Sequence, residues 1–328
     1  MRVEVLGVMT NTMATGQYRG AGRPEAAYVI EATIDKAARK LDMDPVELRP
    51  INTTRAESLP YKTGLVFTYE SGKFLKNLED GVANADVCGF GVRREASEST
   101  GKLRGIGVTN TIERTAGGMI ETAEIRFDSS GTMTLLMETS DHGQGHQTTF
   151  KQVVSEKLGL DSEVIRYRGS DSDIVTAGSA TFGSRSAAYG SAAIMLAVEK
   201  VIDKGRKIAA HMLEVAEADI TFEDGVFAVG GTDKSVELAD VARFSFQLAK
   251  LPDDVEPGLY EVGSYDGGQP TFPNGCHVSE IEVDRAIGQI EIVKYTVVDD
   301  VGTVLNPLLL KGQIHGGIAQ GLGQVLME

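Results

Sequence analysis

Apolar and polar positions along this chain follow two periods, and the change from one to the other falls at short polar runs rich in glycine. Residues 3–8 alternate and predict a strand, which leads into a polar turn over 10–22. A helix is expected next. Pro24 suits its first turn, Glu25 complements the positive helix end, and Ala26, Ala27, Ile30, Ile34, Ala37, Ala38 and Leu41 recur at helical spacing. Asp44 as N-cap, Pro45 at the first position and Glu47 at the third predict a second, short helix. From 52 to about 101 the pattern weakens into polar turns around one amphipathic stretch, 74–85, as a connector between domains would. Strands are expected at 103–113, 120–127 and 132–139, the last two joined as an antiparallel hairpin by Asp128-Ser129-Ser130-Gly131. A helix over 147–158 stopped by Gly159, a strand near 164–167 and a long helix over 186–216 follow. Strands at 278–284 and 288–298 and a closing helix from Pro307 or Gln313 complete the pattern. Strands and helices mixed without regular βαβ alternation predict an α+β fold with mixed sheets and packed helices.

The 328 residues leave room for two domains or one large one. The charge, 32 − 47 = −15, opposes binding to nucleic acid or anionic lipid, and no apolar run approaches a membrane span. Cys88 and Cys276 form neither a disulfide framework nor a C-x-x-C pair, which fits a reducing, cytoplasmic setting. Glycine changes the picture most. The 38 glycines concentrate in polar clusters between patterned segments, where a fold exposes backbone amides to a ligand.

Four clusters stand out. Gly16-Gln17-Tyr18-Arg19-Gly20-Ala21-Gly22-Arg23-Pro24-Glu25 puts two arginines before a helix start, which reads either as an anion site or as a surface turn with solvated arginines. Ser140-Asp141-His142-Gly143-Gln144-Gly145-His146-Gln147-Thr148-Thr149 leaves a strand and opens a helix. Its histidines lack the intervening glutamate and common helix face of a zinc pair. A site of backbone and side-chain amides centred on Gln144 is the sharper reading; a helix start capped by its threonines is the plainer one. Gly178-Ser179-Ala180-Thr181-Phe182-Gly183-Ser184-Arg185-Ser186 combines small hydroxyl residues with one arginine, suited to a phosphate or a polar heterocycle, but lacks the lysine of a P-loop. The fourth, over 306–323, contains Gln313-Ile314-His315-Gly316-Gly317 and by pattern alone suits a packed core helix better than a site. With no dinucleotide fingerprint and no G-x-S-x-G, this inventory of neutral donors suits a large polar cofactor that brings its own reactive centre.

At these clusters the sequence resembles the molybdenum-cofactor subunit of the xanthine dehydrogenase, aldehyde oxidoreductase and carbon monoxide dehydrogenase family. The resemblance rests on TGQYRGAGRPEA, HGQGHQTTFKQVVSEKLG, TFGSRSAAYG and VVDDVGTVLNPLLLKGQIHGGIAQGLGQVLME, which occur in the family's order. It implies a cofactor-binding-domain fold: 1–53 as the C-terminal part of a first domain, 54–100 as a connector, and 101–328 as a second domain truncated at its end. It also implies molybdenum held by the dithiolene of a pterin, often as a cytosine dinucleotide, with no metal ligand from the protein. His142, Gly143, Gln144 and Gly145 would bind that cofactor. Ser179, Ala180, Thr181 and Ser184 would line the pterin or its phosphate, and Gln313 would contact it from the last cluster. Arg19 would orient substrate and stabilise developing negative charge. The implied reaction inserts a water-derived oxygen into a C–H bond of a small organic substrate. Electrons would leave through partner subunits that carry iron–sulfur clusters and FAD.

Two departures bear on that expectation. Carbon monoxide enzymes carry a cysteine in the loop corresponding to Tyr18–Arg23, where this chain has Gly20-Ala21-Gly22, so hydroxylation of an aldehyde or N-heterocycle is favoured over carbon monoxide oxidation. The family's catalytic glutamate and its upstream cofactor loops lie outside 1–328, which leads to the expectation of an incomplete, inactive chain that needs the remaining N-terminal half of the subunit. Apolar surface left for the absent segments would favour self-association. A non-catalytic binding or assembly module with the same fold is the alternative from a different class.

Overall fold

Antiparallel pairing dominates the computed structural model, which describes residues 4–13, 16–115, 119–175 and 179–327. In chain order its elements are α1 (Arg23–Leu41), α2 (Pro45–Asn52), β1 (Tyr61–Lys62), β2 (Thr68–Tyr69), α3 (Phe74–Ala85), α4 (Phe90–Ser99) and β3 (Lys102–Ile112). Then come β4 (Ile120–Phe127), β5 (Met133–Met137), α5 (His146–Leu158), β6 (Ile165–Gly169) and α6 (Ser191–Leu213), the last entered through a π turn at Ser186–Gly190. They are followed by β7 (Ile220–Glu223), β8 (Val226–Val229), β9 (Ser235–Glu237), α7 (Leu238–Phe244), β10 (Tyr260–Asp266), β11 (Asn274–Asp284), β12 (Ile290–Asp300) and α8 (Pro307–Met327). The α+β reading holds. The chain separates into unit 1, Met1–Glu113 with Phe272–Val301, and unit 2, Arg114–Thr271 with Gly302–Glu328.

Unit 1 is built on an antiparallel sheet of order β12-β11-β3. Alternation on β3 and β11 sends Val108, Cys276 and Val278 to the face covered by α3, where they meet Leu78 and Ala85. Gly81 is required there, because a Cβ at this position would lie 2.7 Å from the Cys276 sulfur. The segment 54–100, read from the sequence as a connector, therefore contributes to this core through α3. It also contributes through α4, whose Arg93 binds the buried Glu280 at 2.9 Å. Its local pattern is weak because what it packs against lies nearly 200 residues further along the chain. Asp44 caps α2 by accepting from the Val46 amide at 2.7 Å, and α1 begins with Pro24 in its first turn, as the sequence indicates. The expected N-terminal strand does not form over its described residues, and Val5, Leu6 and Val8 are exposed. Alternation alone makes a strand only where a partner edge pairs with it. Val3 lies outside the described residues.

Unit 2 holds a four-stranded sheet of order β10-β4-β5-β6, antiparallel except for the β5/β6 pair. The β4–β5 hairpin forms as expected, with Gly131 at φ 85 closing the turn onto Asp128. β5, α5 and β6 form a parallel crossover, so the chain leaves both strands at the same end of the sheet. The core joins Ile125, Leu135 and Met137 to Phe150, Val154 and Leu158 of α5 and to Ala193, Ile194 and Ala197 of α6. A second sheet of order β7-β8-β9, α7 and α8 also belong to the unit; the sequence pattern does not reveal β7, β8, β9, α7 or β10.

Candidate functional site

The C-terminal ends of parallel strands are where open α/β layers present loops to ligands, because the adjoining helix starts lie there. At this end of unit 2 the loop leaving β5 enters α5. The loop leaving β6 returns to it: the Ser170 hydroxyl donates to the Thr139 carbonyl at 3.1 Å. The loop before α6 also joins it, since Thr181 Oγ1 donates to the Ser140 carbonyl at 2.6 Å and Ser186 Oγ lies 3.2 Å from Thr181 Oγ1. The start of α8 closes on the same place. Leu309 packs so close to Gly145 that a Cβ there would approach its methyl carbon to 2.9 Å. Asn306 caps α8 by accepting from the Leu309 amide at 2.9 Å, and it donates to Gln152 of α5 at 2.8 Å. Gln313 lies one turn beyond Leu309 on the half-buried stripe of α8. The second, third and fourth sequence clusters are thus linked by direct contacts.

The residue that organises the first loop is Asp141. Its Oδ1 accepts from the amides of Gly143, Gln144 and Gly145 at 2.9, 3.0 and 3.3 Å, and its Oδ2 accepts from His146 at 3.1 Å. Gly143 and Gly145 have φ of 100 and 78, values that favour glycine and let successive amides turn toward one carboxylate. Burial would raise the Asp141 pKa, but the amides of Gly143 and Gly145, the His146 ring and the Gln144 amide together hold it below the ordinary value. These backbone amides turn onto Asp141, and the threonines do not cap the helix, as one reading of the sequence had it. Thr149 Oγ1 donates to the Gly145 carbonyl at 3.2 Å instead. Gln144 Oε1 accepts from the His142 amide, and its Nε2 supplies the N–H donors of the side chain. His142 is exposed, whereas His146 is buried against Phe150, and burial lowers its pKa.

The 179–184 loop departs from its expected role in one respect. Ser179 and Thr181 are half-buried and Ala180 and Ser184 exposed, but Arg185 is fully buried and paired with Glu121 of β4. It is not a surface donor for phosphate. The pairing could have been suspected from period two on β4: Glu121 falls in register with the inward residues Ala123, Ile125 and Phe127. Beside it Glu138 is buried and accepts from Thr122 Oγ1. Burial pushes the Glu121 carboxyl up to about 7; Arg185 pulls it down and Glu138 pushes it further up. Ala180 and Ser184 hold left-handed φ of 59 each, a strain on the order of 1–3 kcal/mol per residue that neighbouring contacts must offset. Gly178 lies outside the described residues. α8 also differs from the packed core helix favoured by its pattern, since none of its described residues is fully buried.

Arg19 belongs to unit 1, exposed in the turn before α1. That turn is fixed by Ala21 N donating to the Tyr18 carbonyl at 2.7 Å and Arg23 N to the Gly20 carbonyl at 3.0 Å. Gly20 at φ 94 is obligatory, as a Cβ would lie 2.6 Å from the Pro24 ring. Arg23 pairs with Glu113 at 2.9 Å, and Thr15 lies outside the described residues.

The donors of unit 2 are neutral amides and hydroxyls on loops tied to one another, a set that fits a polar heterocyclic cofactor. Among the described residues no group of three or more His, Cys, Asp or Glu is arranged to hold a metal ion. No helix of the described residues is long and apolar enough to cross a membrane. Models of the molybdopterin cofactor-binding domain match residues 84–328 and 1–53. The chain is 38% identical to the carbon monoxide dehydrogenase large chain of Hydrogenophaga pseudoflava, over 97% of this chain and 41% of that protein. It is 33% identical to the nicotine 6-hydroxylase large subunit of Paenarthrobacter nicotinovorans, over 98% of this chain and 41% of that one. The crystal structure of quinoline 2-oxidoreductase from Pseudomonas putida 86 superposes with a TM-score of 0.84 at 29% identity, covering 94% of this chain and 41% of that one. The chain spans about two-fifths of the length of these relatives. The chain therefore belongs to the molybdopterin cofactor-binding domain family.

Proposed function

We propose that this chain is the cofactor-cradling part of a molybdenum hydroxylase large subunit, with 1–53 and 101–328 belonging to its first and second cofactor-binding domains. The observation that supports this reading is the set of contacts by which Thr181 binds Ser140 and Leu309 seats on Gly145, drawing the Gln144 loop, the 179–184 loop and α8 to one end of the β5/β6 pair. Gln144 would hold the cofactor through its amide nitrogen, flanked by His142, Gly143 and Gly145. Ser179, Ala180, Thr181 and Ser184 would receive the pterin or its phosphate, in mononucleotide or cytosine dinucleotide form, and Gln313 would reach it from α8. When bound, the cofactor supplies the redox centre at which a water-derived oxygen enters a substrate C–H bond. Arg19 would orient that substrate. Iron–sulfur and FAD subunits would carry the electrons away, in the cytoplasm.

An aldehyde or N-heterocycle is the favoured substrate class over carbon monoxide, because the arginine loop reads Tyr18-Arg19-Gly20-Ala21-Gly22-Arg23 without cysteine. Cys276 is no substitute: it is buried in the core of unit 1, where burial pushes its thiol up to about 11. The test is molybdenum and released-pterin analysis of the assembled subunit, with and without Gln144→Ala. Loss of most of the bound molybdenum is expected from removing a preorganised donor. Unchanged occupancy in that variant would remove Gln144 from the cradle, and absence of molybdenum from the complete assembly would overturn the function.

A further inference from the structure

Arg185 is fully buried at the point where the 179–184 loop meets the π turn that opens α6. Its Nη2 donates to Glu121 Oε2 and, at 3.4 Å, to the Ile120 carbonyl, so the guanidinium is anchored on β4. Its Nε and Nη1 have no hydrogen-bond partner among the described residues. The guanidinium carbon lies over the Phe182 ring, 5.3 Å from its centroid. Phe182 is itself 44% exposed and sits between the left-handed residues Ala180 and Ser184.

A buried ion pair adds little stability over an apolar pair of equal size, but here it ties the Arg185 side chain to β4. We infer that Arg185 is a positioning residue: held on β4 by Glu121, it offers Phe182 a flat cationic platform that keeps the strained 179–184 loop in its ligand-receiving conformation. The inference rests on reading that loop as part of the cofactor cradle. Arg185 touches no cofactor itself and acts through Phe182.

Chymotrypsin cuts after phenylalanine, so cleavage at Phe182 reports loop opening directly, and cleavage at Phe246, 39% exposed in the same unit, provides an internal reference. The chain is compared with Arg185→Met, Arg185→Lys and the double variant Glu121→Met/Arg185→Met, which replaces the pair by apolar side chains. Cleavage at Phe182 relative to Phe246 should rise about tenfold in Arg185→Met and in the double variant, because proteolysis follows the population of the open form. Lysine retains a charge for Glu121 but no flat face, so Arg185→Lys should open the loop while keeping the melting temperature near that of the parent. An unchanged cleavage ratio, or equal acceleration at both sites, would overturn the positioning role. Molybdenum content of the assembled subunit should fall several-fold in the double variant. An opened loop with full molybdenum occupancy would refute the reading of 179–184 as a cofactor loop while leaving the platform intact.

Discussion

Replacing Asp141 tests the architecture of the Gln144 loop more directly than replacing Gln144. The Asp141 carboxylate accepts four successive amides, at 2.9 to 3.3 Å, three of them within the Gly143-Gln144-Gly145 turn and the fourth at the first residue of α5. Removing a helix cap costs about 1–2 kcal/mol, and losing a negative charge at a helix start adds about 0.3–1 kcal/mol where the site is open to solvent. Asp141 is exposed, so the lower part of these ranges applies to each contribution and Asp141→Ala should lose about 1.3 kcal/mol in all. In a unit of this size that lowers Tm by about 3–5 °C. Asp141→Asn should lose about half as much, since one oxygen still serves the Oδ1 amides but its NH2 group meets the His146 N–H donor to donor. The sign with pH follows from the shift. A carboxyl held below its ordinary 3.8 stabilises the fold above that value, and the contribution disappears as pH falls through the folded-state pKa. Urea denaturation at pH 7 and near pH 3 should therefore show the parent and Asp141→Asn diverging at pH 7 and converging in acid. Equal stability at pH 7, or a difference untouched by acid, would refute the argument.

Glu121 has the opposite sign. Its pKa is raised from 4.5 to about 7, so the folded state binds the extra proton in that window and stability falls as pH rises through it. Glu121→Gln should flatten this slope in urea titrations across pH 5 to 8, and an unaltered slope would exclude Glu121 as its source. At Gly263 on β10, a Cβ would lie 2.1 Å from the Ala193 carbonyl and 2.5 Å from the Ala197 amide of α6. Gly263→Ala should cost about 3 kcal/mol or more, because backbone cannot move aside, and an unshifted urea midpoint would contradict the close helix–strand contact. Arg19→Ala in the assembled enzyme should reduce turnover about 10²-fold with molybdenum content near that of the parent. Full activity would remove Arg19 from the proposed mechanism.

Local signals in the sequence specify the elements whose causes are local. Asp44-Pro45 starts α2, Asp128 to Gly131 turns β4 into β5, Gly159 ends α5, and the glycine clusters mark the junctions that tie together in unit 2. Each depends on backbone preferences or contacts within a few residues. What the sequence could not settle was the destination of side chains whose partners are distant. Arg185 looks like a ligand donor until β4 brings Glu121 beneath it, and the amides around Gln144 look available until the loop folds them onto Asp141. Residues 3–8 alternate like a strand but meet no edge over their described part, while α3 and α4 pack on a strand nearly 200 residues away. Periodicity records which face of an element is apolar, whereas the choice of partner depends on long-range packing and on the desolvation of charge, which only the folded chain decides.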